Sequence, residues 1–258
     1  MEFSKENITY WTKRAPGYSE VNIEELETDQ RSVWGRVIDQ RIMERYPNRD
    51  RESIKVLDVG TGPGFFAIIL AELGYDVTAV DYTEAMLAQA KHNAGAMVSR
   101  ISFREMNAEE LLFADHSFDV IVSRNVTWNL HNPANAYRQW FRVLKEDGLL
   151  LNFDANWYRY LYDAEAKSLH IADRANVEKY QVADENAGTD VDAMEAIARQ
   201  TPLAKEMRPF WDLQTLTDLG MTTVADENIW QTVWTDTERI NNSSTPMFMI
   251  HAIKQAIH

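Results

Sequence analysis

The stretch VLDVGTGPGFF, Val56 to Phe66, runs as an apolar, β-branched segment through Asp58 into a turn with glycines at 60, 62 and 64. A backbone without Cβ atoms can pack closely against a ligand and can take the positive φ values that a sharp reversal demands. One βα unit further on, a second apolar run from Asp76 to Val80 ends at Asp81, a carboxylate placed to accept from the two hydroxyls of a ribose. Strand, glycine turn, helix, strand and acid together describe an adenosine pocket at the carboxyl ends of a parallel sheet.

A dinucleotide fingerprint spaces its glycines G-x-G-x-x-G, whereas this turn reads G-x-G-x-G, with the third glycine one residue early. Later motifs follow in order: Asn107-Ala108-Glu109 after a third strand, DVIVSRNVTWNL from Asp119 to Leu130, His131-Asn132-Pro133-Ala134, and Arg142 to Gly148. In these motifs, over about residues 54 to 154, the chain resembles the class I S-adenosylmethionine-dependent methyltransferases, in the small-molecule branch typified by ubiquinone and sterol methyltransferases. The resemblance implies S-adenosyl-L-methionine as cofactor and a Rossmann-like, doubly wound α/β sheet of seven strands. It also implies that Asp58, Gly60, Thr61, Gly62 and Gly64 wrap the methionine part of the cofactor and that Asp81 holds its ribose. Tyr82 and Met86 can flank a purine ring, and Asn107, standing where an acid is usual, can meet its edge together with Ala108 and Glu109. Arg124 and Asn125, at the end of a central strand, are expected to face the cofactor. No Asn-Pro-Pro-Tyr motif is present, since Asn129 leads to Leu130-His131.

Composition narrows the partner. A formal net charge of −14, from 26 Lys and Arg against 40 Asp and Glu, leaves little basic surface for phosphate backbones and favours a neutral or cationic small acceptor over nucleic acid. The absence of cysteine removes disulfides and thiolate ligands, and six scattered histidines form no H-x-x-x-H pair, so no metal is expected. Neither a basic-then-apolar leader nor a helix-length apolar run is present, which predicts a cytoplasmic protein that does not engage a membrane.

The expected organisation is an N-terminal arm and helix over 1–52, a cofactor-binding core over 53–154, a helical cap over 155–208 and the C-terminal part of the core sheet over 209–258. Residues up to about 22 read as a polar arm around Pro16-Gly17, followed by one amphipathic helix from Glu24 to Tyr46. Asp147-Gly148 is predicted to turn into a strand from Leu149, Thr83 to cap a helix, and Thr222 to Trp230 to form a strand. The polar stretch Glu185 to Asp192 reads as a hinge in the cap.

Aromatic residues gather where such a site would close. Tyr10, Arg14 and Tyr18 are assigned to the cofactor, with an Arg and a Tyr suited to its carboxylate. Trp11, Trp128, Trp157 and Tyr160 are assigned to the acceptor, as walls that exclude water and attract a sulfonium or ammonium. His131, Asn129 and Trp128 are the candidates for a role in catalysis, and His170 is a further possible proton acceptor. The reaction implied is in-line methyl transfer to a small molecule. Alternative readings are a non-catalytic S-adenosylmethionine-binding sensor or partner subunit, and a nicotinamide-dependent oxidoreductase, against which the early third glycine and the lack of a Tyr-x-x-x-Lys pair both count.

Overall fold

The computed structural model describes residues 2–256. After helices α1 (Glu2–Glu27) and α2 (Gln30–Arg45), strands and helices alternate: β1 (Lys55–Val59), α3 (Phe65–Glu72), β2 (Asp76–Asp81), α4 (Glu84–Ala94), β3 (Ile101–Glu105), β4 (Phe118–Arg124), α5 (Pro133–Val143) and β5 (Leu144–Asp154). Helices α6 (Ala164–Tyr180) and α7 (Val191–Ala198) interrupt the alternation, which resumes with α8 (Phe210–Asp218), β6 (Met221–Asp226), α9 (Trp230–Val233), α10 (Asp236–Asn241) and β7 (Phe248–Lys254). The seven strands form one sheet in the order β3-β2-β1-β4-β5-β7-β6, with β7 antiparallel to β5 and to β6 and the other pairs parallel. Strand order reverses between β1 and β4, so the loops leaving these two strands diverge and open a crevice at their carboxyl ends.

Apolar side chains cover both faces of the sheet. On one, Trp34 of α2 meets Phe66 and Phe153 with ring centroids 5.1 Å apart in each case, beneath an α3 that is buried from Phe65 through Ala71. Gly35 allows α2 to lie on α3, because a Cβ there would come within 3.3 Å of Ile69. On the other face Tyr137, Trp140 and Leu216 pack against Leu57, Ile121 and Leu150. A smaller cluster, Trp128 with Met194, Ile197 and Ala198, lies beneath the α6–α7 segment.

Four expectations are corrected. The polar arm and the single helix from 24 to 46 are instead α1 and α2, because α1 continues through Pro16 and Gly17. Its buried stripe, Ala15, Ser19, Asn22 and Leu26, has helical spacing but is half polar, which hid it from a hydrophobic-period reading. Strand β5 begins at Leu144 rather than after a turn at Asp147-Gly148, accommodating Asp147 at φ 61 and a register shift against β4. Strand β6 ends at Asp226 and is followed by α9 and α10, the latter opened by a Thr235–Glu238 capping box that was legible as T-x-x-E. Thr83 stands at the N-cap of α4 but makes no side-chain cap there.

Candidate functional site

Backbone geometry builds the glycine turn. Gly60, Gly62 and Gly64 have φ values of 68, 53 and 96, and the N–H groups of Gly60 and Thr61 both donate to the Val80 carbonyl, which docks the turn on the end of β2. A Cβ on Gly60 would lie 2.3 Å from Val126 Cγ2 and one on Gly64 3.1 Å from Ala90 Cβ, so these two glycines serve packing. On Gly62 the nearest atom would be Tyr18 Cε1 at 3.5 Å, an ordinary van der Waals contact, and Gly62 itself borders the cavity, so a side chain there would take up cavity volume. Behind the turn, Asp58 accepts from Thr61 Oγ1 at 2.6 Å, and burial pushes its carboxyl up to about 7. Asp58, Thr61 and Gly64 thus shape the loop from behind without lining the cavity it borders.

That first cavity, about 1000 Å³ with the open solvent at its mouth included, is bounded by Tyr18, Gly60, Gly62, Asp81, Tyr82 and Met86 on the β1–β2 side. Asp81 Oδ2 accepts from Gly62 N–H and Oδ1 from Thr83 N–H, each at 2.9 Å, and burial raises its carboxyl to about 6. Each oxygen keeps a further lone pair for a ligand. Asn107, Ala108 and Glu109 form the next part of the wall. Asn107 Oδ1 accepts from Glu109 N–H at 2.9 Å, Ala108 O from the Trp140 indole at 3.0 Å, and Glu109 Oε1 from the N–H groups of His131 and Asn132. These bonds hold the loops after β3 and β4 together. Arg124, Asn125, Asn129 and an exposed His131 close the remaining side.

A second cavity of about 1090 Å³ adjoins the first, and Trp11, Tyr18 and Asn125 line both. Trp128, Trp157, Tyr158 and Tyr160 form its aromatic wall, with Trp128 and Tyr158 ring centroids 5.0 Å apart and Tyr160 stacked 3.9 Å from His170. Asn125 organises this wall from a left-handed backbone at φ 57: its carbonyl accepts from the Trp128 indole at 2.9 Å and its side-chain oxygen from the Trp157 indole at 3.2 Å. A non-glycine residue held in that region at the end of a central strand marks a place where geometry takes precedence over local comfort. Burial lowers His170 below the usual histidine range, leaving it neutral at pH 7.

The predicted residues therefore divide between the cavities. Tyr10 and Arg14 line the second, not the first, while Trp11 and Tyr18 face both. Trp128, Trp157 and Tyr160 line the second as a group, whereas His131 and Asn129 line the first. The stretch Glu185 to Asp192 is anchored at its start to α10 and the residue after it, where Asn241 accepts from Glu185 N–H and donates to Ala183 O, and Asn242 donates to Glu185 at 2.8 Å.

Sequence reasoning missed the support beneath these walls. Arg208, fully buried, pairs with Asp154 at 2.9 Å and Asp212 at 2.7 Å, and it also donates to Thr127. Asp154 in turn accepts from Thr127 Oγ1 and Trp128 N–H, and Tyr137 donates to Asp212. Nothing in the spacing of residues 127, 154, 208 and 212 announces this cluster. Glu25 likewise stands in no motif, yet it grips Arg124 through two bonds of 2.7 and 2.9 Å, with the guanidinium 4.4 Å from the Phe65 ring centroid.

Among the described residues no group of His, Cys, Asp or Glu could hold a metal, and no helix is long and apolar enough to cross a membrane. Residues 57–152 match the family described as "Methyltransferase domain". Over 125 residues the chain is 33% identical to a Mycolicibacterium smegmatis protein named a probable S-adenosylmethionine-dependent methyltransferase, covering 47% of this chain and 45% of that protein. It is 32% identical over 101 residues to the ubiquinone biosynthesis O-methyltransferase of a Caulobacter species, covering 39% and 40%. The chain thus spans less than half the length of these curated relatives. A chain of the complex between the Haloferax volcanii Trm112 methyltransferase activator and a methyltransferase superposes with a TM-score of 0.58 at 15% identity, covering 95% of this chain and 98% of that one. Joined to the glycine turn, Asp81 and the strand order, these matches identify residues 57–152 as a methyltransferase domain within a chain of the class I methyltransferase fold.

Proposed function

We propose that this protein is an S-adenosylmethionine-dependent methyltransferase that passes a methyl group to a small molecule by in-line displacement. The observation that carries this reading is the meeting of two cavities along Trp11, Tyr18 and Asn125, one built around Asp81 and the glycine turn and the other walled by aromatic rings. The first fits the cofactor: Asp81 keeps acceptor capacity for ribose hydroxyls, Gly62 borders the cavity without a side chain, and Tyr82 and Met86 offer flat apolar surface to a purine. The bound cofactor would supply an electrophilic methyl on sulfur. The protein's own part is to orient the acceptor and keep out water, and positioning of this kind supplies on the order of 7–11 kcal/mol of a bimolecular barrier. Tyr160, Trp128 and Trp157 are suited to that task. His131 and Asn129 border the cofactor side, and no general base is required where the acceptor is a neutral amine or a thiolate.

The charge of −14 supports an acceptor that is neutral or cationic overall. Isothermal titration tests the cofactor assignment, with S-adenosylhomocysteine expected to bind at one per chain and NADH not to bind. Transfer of labelled methyl from S-adenosylmethionine to a fraction of a metabolite extract then tests turnover. Tight binding with no labelled product in any fraction would instead support a sensor or partner subunit.

A further inference from the structure

Helix α1 presents Tyr10, Arg14 and Tyr18 at four-residue intervals, and all three line the second cavity. Neither phenol nor the guanidinium makes a hydrogen bond or ion pair within the described residues. Other groups of this cavity have partners: Arg174 donates to Asp184 at 2.8 Å and to Asn241, Tyr160 donates to Glu195 at 3.0 Å, and the one lining carboxylate among the described residues, Glu185, accepts from Asn242 at 2.8 Å. Burial raises both phenols above their ordinary value, so they remain proton donors at neutral pH. The stripe therefore offers hydrogen-bond donors around one fixed positive charge.

Local sequence bears a cost at this place. Gly17 lies inside α1, where glycine is less favourable than alanine by about 0.5–1 kcal/mol. A Cβ on Gly17 would sit 2.6 Å from Arg14 Nη1, so the glycine makes room for the guanidinium along the helix. Arg14 is thus seated, and no carboxylate among the described residues is paired with it.

We propose that Tyr10, Arg14 and Tyr18 form an oxyanion subsite that holds a carboxylate or phosphate group of the methyl acceptor. This rests on the methyltransferase reading above and adds the acceptor's class: a zwitterionic small molecule, near neutral overall, with an oxyanion at one end and at the other an amino group that loses its proton to solvent before it attacks the methyl. Such a molecule meets the acidic balance of the chain without opposing the local charge of the cavity. An arginine with two flanking hydroxyls matches the several acceptor positions of an oxyanion better than an isolated point charge would.

The test uses the full chain saturated with S-adenosylhomocysteine, titrated with acetate and separately with inorganic phosphate while the indole N–H resonances of Trp11 and Trp157 are followed. One or both anions are expected to bind saturably, with affinity reduced roughly tenfold or more in Arg14→Gln. Gly17→Ala is expected to fold and to give an intermediate loss, because the new methyl displaces the guanidinium. Affinity for S-adenosylhomocysteine itself should stay within about twofold in Arg14→Gln, as the subsite belongs to the acceptor. Equal anion affinity in wild type and Arg14→Gln would overturn the proposal. So would a roughly tenfold loss of S-adenosylhomocysteine affinity with 5′-methylthioadenosine, which lacks the carboxylate, unaffected, since the oxyanion would then be the cofactor's. Failure of the wild type to bind S-adenosylhomocysteine would strike the cofactor reading instead, and the anion titration on the ligand-free protein would still decide the role of Arg14.

Discussion

Asp81 shows what a single residue can carry. Its proposed role as a ribose acceptor follows from its place at the end of an apolar run, but its charge state could not be read there. In the fold it is buried, two backbone N–H groups satisfy part of its acceptor capacity, and its pKa is raised to about 6. Because ribose hydroxyls donate to the ionised carboxylate, the binding-competent form is the deprotonated one. As pH falls below about 6 the proton returns, an acceptor is lost and affinity for S-adenosylhomocysteine should fall, approaching a limit of about tenfold per pH unit for one coupled proton. Asp81→Asn should abolish that dependence while lowering affinity at pH 8 by about 1.5–3 kcal/mol, the range for hydrogen bonds to a charged group. Calorimetric titration of the wild type and Asp81→Asn between about pH 5 and about pH 8 would decide it, since histidines titrating in the same range act equally on both proteins; a flat wild-type profile would remove Asp81 from the ribose site.

At the scale of elements, the 155–208 segment is where sequence and structure agree in outline and part in detail. Its two helices and aromatic start were expected, since an αβ connection of that length is too long to be plain. Its anchoring was not: Asp173 of α6 accepts from Ser243 Oγ and Ser244 N–H, and Asn241 and Asn242 hold the 183–185 backbone and Glu185. The segment is thus fastened to the loop before β7, and the short polar residues that fasten it have no periodic signal. Trp157→Ala should reduce methyl transfer much more than it reduces cofactor affinity, because Trp157 lines the second cavity and not the first. Single-turnover rates alongside S-adenosylhomocysteine titration would measure the two effects separately. A parallel loss of both would place Trp157 in support of the Asn125 loop instead, to which its indole donates.

For the whole molecule, the Arg208 cluster joins the end of β5, the loop after β4, α5 and α8 in one buried network. Removing the guanidinium in Arg208→Met would leave Asp154 and Asp212 buried without their counter-ion, at a cost of about 3–5 kcal/mol. Denaturant unfolding monitored by tryptophan fluorescence should register that loss, and a change below about 1 kcal/mol would show that the carboxylates find other partners. The pattern of successes follows the range of the physical signal. Apolar periodicity, the glycine turn and acids at strand ends are local consequences of burial and backbone sterics, so the chain itself determined the alternating α/β core and the Asp81 side of the first cavity, while the count of seven strands came with the family resemblance. Helix α1 escaped because its buried face includes Ser19 and Asn22, whose burial is settled by partners such as Asn93, 74 residues from Ser19. Only the tertiary structure decided that Tyr10 and Arg14 belong to the second cavity, that Asn125 aims two indoles, and that Arg208 lies beneath them. Those assignments depend on which distant side chains satisfy one another's charges and hydrogen bonds, and sequence spacing carries no record of that choice.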